Sequence, residues 1–502
     1  MRLFKLQAMG VASVKGEIEA RLAGIHKLEL EIGRYRALLS PLRGFPLEIL
    51  GEVFANVLTC VDTPQEIPKA LTALILVCKT WQTAALETPR LWNTLGLTLR
   101  HGSHFDFAKV RKWLSKSGTL PRFFTIDAGM ACCNHFFFPC ALLTPGLLDL
   151  FKVGPPIHRL IINSFSNGCF QGLVQALTSS TDPPTQSWGS LNSIEITVEG
   201  FELPLPSLRD DAALKFPVTT LNLSSPLSSP ARLPGKGTYF QCSFANLATL
   251  TLAFAWPATW DTGILRLCTN LHTLSVKMEF EDWWMDDRGD ELAIFRPKGG
   301  PLTLPHLRTL RINEFPPKIG WDLTILRLFT TPALVELDVG FVDNSDSVGA
   351  AGEERQKFGE EILSLLQRSQ CVTTLAHLRI ASLTIGTHSL ESILRNLPGV
   401  KHLVLDCVTL DSAFFQREAI HEADFLPQLQ VLEILYPHDD FGYHSVCEFI
   451  TSRPLQRLRV ELSSDWGKSP NETDSVVYLR NKGIDAQVVV GTKKSRTIFG
   501  SL

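Results

Sequence analysis

Two hydrophobic periods divide this chain. Up to about residue 92 apolar residues recur every three to four positions, the period of helices; beyond it they alternate in short bursts, the period of strands. In 17–39, Ile18, Ile25, Ile32 and Leu39 fall seven apart, with Leu28 and Tyr35 between them, which is the seam of a coiled coil lasting about three heptads. Arg21 interrupts that seam, and Gly24 and Gly33 each cost about 1 kcal/mol of helix stability against Ala. The pattern predicts one helix over 17–39 that folds back on the next segment, because isolated short helices are marginal in water; the other reading is a dimerisation helix. From Pro46, which suits a first helical turn, Leu50, Val53, Phe54, Val57 and Leu58 make one amphipathic stripe. Asp62, Pro64 and Pro68 then break the chain. In the next predicted helix Leu71, Leu74, Ile75 and Cys78 form one stripe, while Leu76 and Val77 are apolar on other faces. A helix apolar on more than one side is covered on more than one side, so its spare surface asks for a partner or for the following domain.

The order of these signals carries a resemblance. Leu42-Arg-Gly-Phe45-Pro46-Leu-Glu48-Ile49-Leu50 with Val53-Phe54, then Val77-Cys78-Lys-Thr-Trp81, then Thr88-Pro89-Arg90-Leu91-Trp92, resembles an F-box. It is similar to the form common in mushroom-type fungi, where a short heptad helix precedes the box; Phe45 stands where that family usually has Leu. The resemblance implies a three-helix module over 40–92 that docks onto the Skp-type adaptor of a cullin–RING ubiquitin ligase. The implied docking patch comprises Leu42, Pro46, Ile49, Leu50, Val53, Phe54, Leu74, Val77, Cys78 and Trp81.

Beyond residue 92 the burst apolar-x-x-apolar-x-apolar returns eleven times. It runs from Ile157/Leu160/Ile162 through Leu307/Leu310/Ile312 to Leu455/Leu458/Val460, at spacings of 24 to 41 residues, with weaker copies at Trp92/Leu95/Leu97 and Pro121/Phe124/Ile126. The burst resembles the short strand of a leucine-rich repeat, whose period is usually about 20–29 residues. The family's usual Asn or Cys eight positions after the first Leu is absent: Phe165, Glu199, Pro226, Ala255 and Glu279 stand there. Helical patterns fill the intervals at Gly263–Thr269, Asp322–Thr330, Lys357–Ser369, His388–Asn396 and Tyr443–Ser452. The expected fold is therefore α/β: an N-terminal helix (1–39), the three-helix box (40–92), a solenoid with short parallel strands on its concave side and helices on its convex side (93–490), and a tail (491–502). The polar x positions of each burst would face outward on the strands. Among them Arg311, Asp338, Arg379, His402, Glu433 and Arg459 are candidate contacts for a target protein, together with Trp283 and Trp284 in the acidic insertion 281–291. Asp343–Gly352 reads as a flexible loop.

Composition narrows the function. Hydrophobic residues make up 45% and charged residues 20%, so the chain is built to fold. A net charge of -3 argues against gripping nucleic-acid phosphates, and no apolar run approaches a membrane span. The amino terminus, MRLFKLQAMG, has too short an apolar segment for a secretion signal. The eleven Cys, without regular spacing, are expected as reduced thiols, mostly small core hydrophobes, in a cytoplasmic or nuclear protein. The glycosylation-type triplets at Asn222 and Asn471 carry little weight in that setting. Nucleotide-binding Gly-rich loops, Gly-x-Ser-x-Gly elbows and His-Glu-x-x-His helices are absent from the sequence, and His421-Glu422 lacks a second His. Cys132, Cys133, His135 and Cys140 are a poor tetrahedral set, since adjacent cysteines ligate one ion badly. The sequence thus predicts no catalysis, no metal and no cofactor. It points to a substrate-recognition subunit of an SCF-type ligase that binds the Skp-type adaptor and an unidentified protein target, the alternative being a protein-binding scaffold without a ligase.

Overall fold

A computed structural model describes residues 2–38, 44–99, 106–128, 140–164, 189–198, 218–225, 244–254, 263–278, 302–315, 324–341, 352–382, 387–408, 414–417, 424–437, 453–463 and 474–491, together with isolated positions at 169, 172–173, 176, 420, 422, 446 and 448–450. The chain forms two compact units, Met1–Gly96 with Lys112–Leu120, and Leu97–Arg111 with Pro121–Leu502.

The first unit is helical. Helix α1 spans Arg2–Leu38, α2 Leu47–Thr59, α3 Ile67–Ile75 and α4 Lys79–Leu86, followed by a 3-10 turn at Pro89–Trp92. Its core is the side of α2 that carries Leu50, Phe54 and Leu58, closed by Leu71 of α3, Ala84 and Ala85 of α4, and Leu91 and Trp92. Three large residues four apart on one helix bury one stripe, and each full burial contributes about 1.5–3 kcal/mol. The Trp92 ring N–H donates to the Ala85 carbonyl at 2.7 Å, its ring meets the edge of Trp113 at 4.6 Å, and the Lys116 ammonium sits 3.7 Å above it. Burial, then Lys112, lowers the Lys116 pKa.

Three sequence expectations change here. Helix α1 begins at residue 2, not 17, and it does not fold back: Ile18, Ile25, Leu28, Ile32 and Tyr35 are all exposed. Helix α3 ends at Ile75, so Leu76 and Val77 occupy the turn and extended Cys78 caps α4. The two-sided apolar helix is α2, where a second stripe of Ile49, Val53 and Val57 lies on the exposed side. The physical reason is geometric. Neighbouring residues sit about 100° apart around a helix, so one run of apolar residues can supply two stripes of which the core takes one.

The second unit is a mixed α/β array. Among the described residues the main sheet has fourteen strands hydrogen-bonded in chain order, the first of which begins at Thr94, before the second unit's start at Leu97. They are Thr94–Thr98, Phe123–Asp127, Arg159–Ser164, Ser193–Val198, Thr220–Ser225, Thr249–Phe254, Thr273–Met278, Thr309–Phe315, Glu336–Phe341, His377–Ala381, His402–Asp406, Val431–Leu435, Arg457–Ser463 and Asp485–Gly491. A separate parallel pair joins Leu302–Thr303 to Phe329–Thr330. From Phe123–Asp127 onward every neighbouring pair is parallel. Each of the eleven bursts forms a strand, preceded by a buried residue such as Leu307, Leu334 or Leu375. Leu310, Leu337, Leu378, Leu403, Leu432 and Leu458 then stack in register as one buried row.

The backbone repeats as faithfully as the side chains. At the entrance of each of the eleven burst strands two successive N–H groups donate to one carbonyl of the preceding strand's entrance, as Ala376 and His377 do to Val335 and Lys401 and His402 do to Ala376. Helices fill the expected intervals at Gly263–Leu267, Thr324–Leu328, Gly352–Ser369 and Thr387–Arg395; most of the predicted 443–452 helix lies outside the described residues. Gly352, expected at the end of a loop, starts a helix, and 343–350 are outside the described residues. The last strand carries no burst and was not expected. Cys60, Cys78, Cys140, Cys268, Cys371 and Cys407 are free thiols. Burial pushes Cys268 up to about 12 and Cys371 up to about 11, so neither is a ready nucleophile. Cys169 departs from the expectation of reduced thiols, being disulfide-bonded. Among the described residues, no helix is long and apolar enough to cross a membrane.

Candidate binding surfaces

Two surfaces gather the predicted residues, one on each unit. On the helical unit Ile49, Val53 and Val57 are 47%, 44% and 44% exposed, and Leu76 and Val77 are 77% and 59% exposed. Pro46, Cys78 and Phe45 are exposed as well. Burying such side chains against a partner is favourable by about 25 cal/mol per Å² of apolar surface removed from water. Leu50 and Phe54, which the resemblance placed in the patch, are instead fully enclosed in the unit's own core. They face the core because α2 presents that stripe to α3 and α4, so they can support a contact surface but not touch a partner. Trp81 and Leu74 are half-buried, Trp81 packing on Phe54 with ring centroids 4.9 Å apart. Leu42 lies outside the described residues.

On the sheet unit the outward side chains line up in lateral rows, because parallel strands in register place equivalent residues about 4.8 Å apart. Arg311, Asp338, Arg379, Glu433 and Arg459 fall in one row that crosses six strands, interrupted only by Val404. His402 sits two residues earlier on the strand that carries Val404. These six are brought together, and they are engaged with one another. The Arg379 guanidinium donates to Asp338 at 3.0 Å and to Asp406 at 2.7 Å. Arg311 reaches Glu336 at 3.0 Å, and His402 Nε2 lies 3.1 Å from Glu433. Arg459 lies 3.9 Å from Glu433 and donates to Glu461 at 2.7 Å. Burial holds the Asp338 carboxyl above the usual carboxylate range, against the pull of Arg379 and Arg311. Arg379 is shifted up: burial opposes its charge, but Asp338 and Asp406 outweigh it. Glu433 is held low by its hydrogen bond to His402 against burial, with Arg459 and Arg457 helping. His377, 5.4 Å from His402, is lowered by burial and by that neighbour. A partner that used these charges would have to displace partners they already have.

The other part of the same face was not singled out from the sequence. Ser193, Thr220, Thr249, Thr273 and Thr309 form a continuous row of hydroxyls across five strands. The signal was available, since each of these residues directly precedes the second apolar position of its burst. Trp283, Trp284, Cys132, Cys133 and His135 lie outside the described residues, and among the described residues no group of His, Cys, Asp or Glu is arranged to hold a metal ion. No protein-family model matches the chain, and no curated protein is similar to it at a significant level.

Proposed function

We propose that this chain is the substrate-recognition subunit of an SCF-type ubiquitin ligase. In this reading the helical unit is an F-box that holds the Skp-type adaptor, and the stacked strand–helix array is a leucine-rich-repeat solenoid whose strand face takes a protein target. The chain performs no chemistry itself and works by holding the target where other subunits transfer ubiquitin. The observation that carries the reading is the division of α2: its Leu50/Phe54/Leu58 stripe completes the core while Ile49, Val53 and Val57 remain exposed. A small bundle that has finished its own core and still shows a second apolar stripe is shaped for a partner.

Co-expression of the full chain with a Skp-type adaptor and recovery of the complex tests it. Wild type should retain the adaptor, and the Ile49→Asp/Val53→Asp double variant should lose at least about tenfold in affinity, since each apolar side chain buried is worth more than 1.4 kcal/mol. Failure of wild type to hold the adaptor, or equal retention by the folded variant, rejects the proposal.

A further inference from the structure

We infer that α1 pairs with α1 of a second copy of this chain as a parallel, in-register coiled coil. Every described side chain from Val14 to Tyr35 is exposed, apart from half-buried Glu31. The positions where Gly16, Gly24 and Gly33 would carry a Cβ have no atom within 4 Å. A bare helical stretch with three glycines between Val14 and Tyr35 has too little propensity to persist in water, so its stability must come from packing. The apolar positions say against what. Ile18, Ile25 and Ile32 repeat at seven residues, and Val14, Leu28 and Tyr35 occupy the intervening positions, all 50–66% exposed. That 3.5-residue period makes a narrow seam, which fits the knobs of another helix and not a flat surface.

Self-pairing follows from what flanks the seam. Three β-branched isoleucines at the first seam position favour a two-stranded parallel arrangement. In that arrangement Glu17 faces Leu22 of the second copy and Gly24 faces Glu29, so these flanking positions set no like charges against each other. Turned antiparallel about Gly24, Glu17 would face Glu31 of the second copy twice. Arg21 occupies a seam position and donates to Glu17 at 2.9 Å, one turn back on its own helix. Its stem can lie along the seam with its head in water, giving one polar layer that weakens the pair and fixes its register. The inference does not depend on the adaptor reading.

Sedimentation equilibrium of the full chain, from about 1 to 100 µM, tests it. Wild type should approach twice its 55.8 kDa mass, and Arg21→Leu should dimerise about tenfold more tightly by filling the seam. Ile25→Asp should weaken the dimer at least about a hundredfold, with the thermal transition of the other elements unchanged. Oxidative cross-linking, above the wild-type background, should join Ile18→Cys to itself and Ile32→Cys to itself. A monomer at every concentration for both wild type and Arg21→Leu overturns the inference. So does a dimer indifferent to Ile25→Asp, or cross-linking only when the two cysteine variants are mixed.

Discussion

Gly51 lies on the core side of α2, where a Cβ would run into Thr88 Oγ1. In an exposed helix, Gly→Ala gains about 1 kcal/mol. Here the close approach of Thr88, whose hydroxyl donates to the Ala84 carbonyl at 2.7 Å, reverses the sign. Gly51→Ala should lower stability by about 1–3 kcal/mol in denaturant unfolding, and adding Thr88→Ala should recover part of the loss. An additive cycle would show that the two residues are not in conflict. Such a contact could not be read from the sequence, which shows only a glycine inside a helical pattern. The same holds for Ser382, Cys407 and Tyr436, each just past a strand end with φ near +50°. Their amides donate to carbonyls of the next strands, at 2.7 Å for Ser382 to Asp406 and for Cys407 to Leu435, and at 2.6 Å for Tyr436 to Glu461. Gly or Asn usually marks that backbone conformation, and neither stands there.

At the scale of elements, legibility depended on how many partners compete for an apolar side chain. The strands were legible because their second and third apolar positions have one destination, the interior under the sheet, and the alternation names it. Helix α2 was legible as a helix but not as two surfaces, since Leu50, Val53, Phe54, Val57 and Leu58 fit one broad stripe until the positions of α3 and α4 divide them. Exposure in the isolated chain makes the division measurable without any partner. Ile49→Asp should change the unfolding free energy by no more than about 0.5 kcal/mol, as surface substitutions do. Leu50→Asp, which places a carboxylate in a closed apolar core, should unfold the helical unit. Equal effects would mean that the two stripes are equally buried. The reach of α1 is the opposite case: the heptads were visible, but whether the helix packs on its own chain depends on a fold-back that no local pattern encodes.

Across the whole molecule, each strand of the array pairs only with its neighbours, so stability should be regional and not global. The charged row of the sheet face offers a way to test this, because its pH response has a definite sign. Glu433 is held below the ordinary glutamate value of 4.5 by the His402 hydrogen bond, against burial and with help from Arg459 and Arg457. A carboxylate depressed in the folded state stabilises above its unfolded pKa, and that contribution is lost as the pH falls through the depressed value. Glu433→Gln should therefore cost about 1.5–3 kcal/mol at neutral pH, the usual worth of a hydrogen bond to a charged group, and nothing once both chains are well below that range. In hydrogen exchange at pH 7 the lost protection should concentrate in His402–Asp406, Val431–Leu435 and Arg457–Ser463, leaving Arg159–Ser164 as in wild type. Uniform loss across all strands would mean that the array unfolds as one cooperative body. A gap between variant and wild type that widens below pH 4.5 would mean that Glu433 is held protonated, with the opposite shift. The sequence shows that this row is polar. Only the register shows that its charges answer one another, which makes them a brace along the face before they are a grip on anything else.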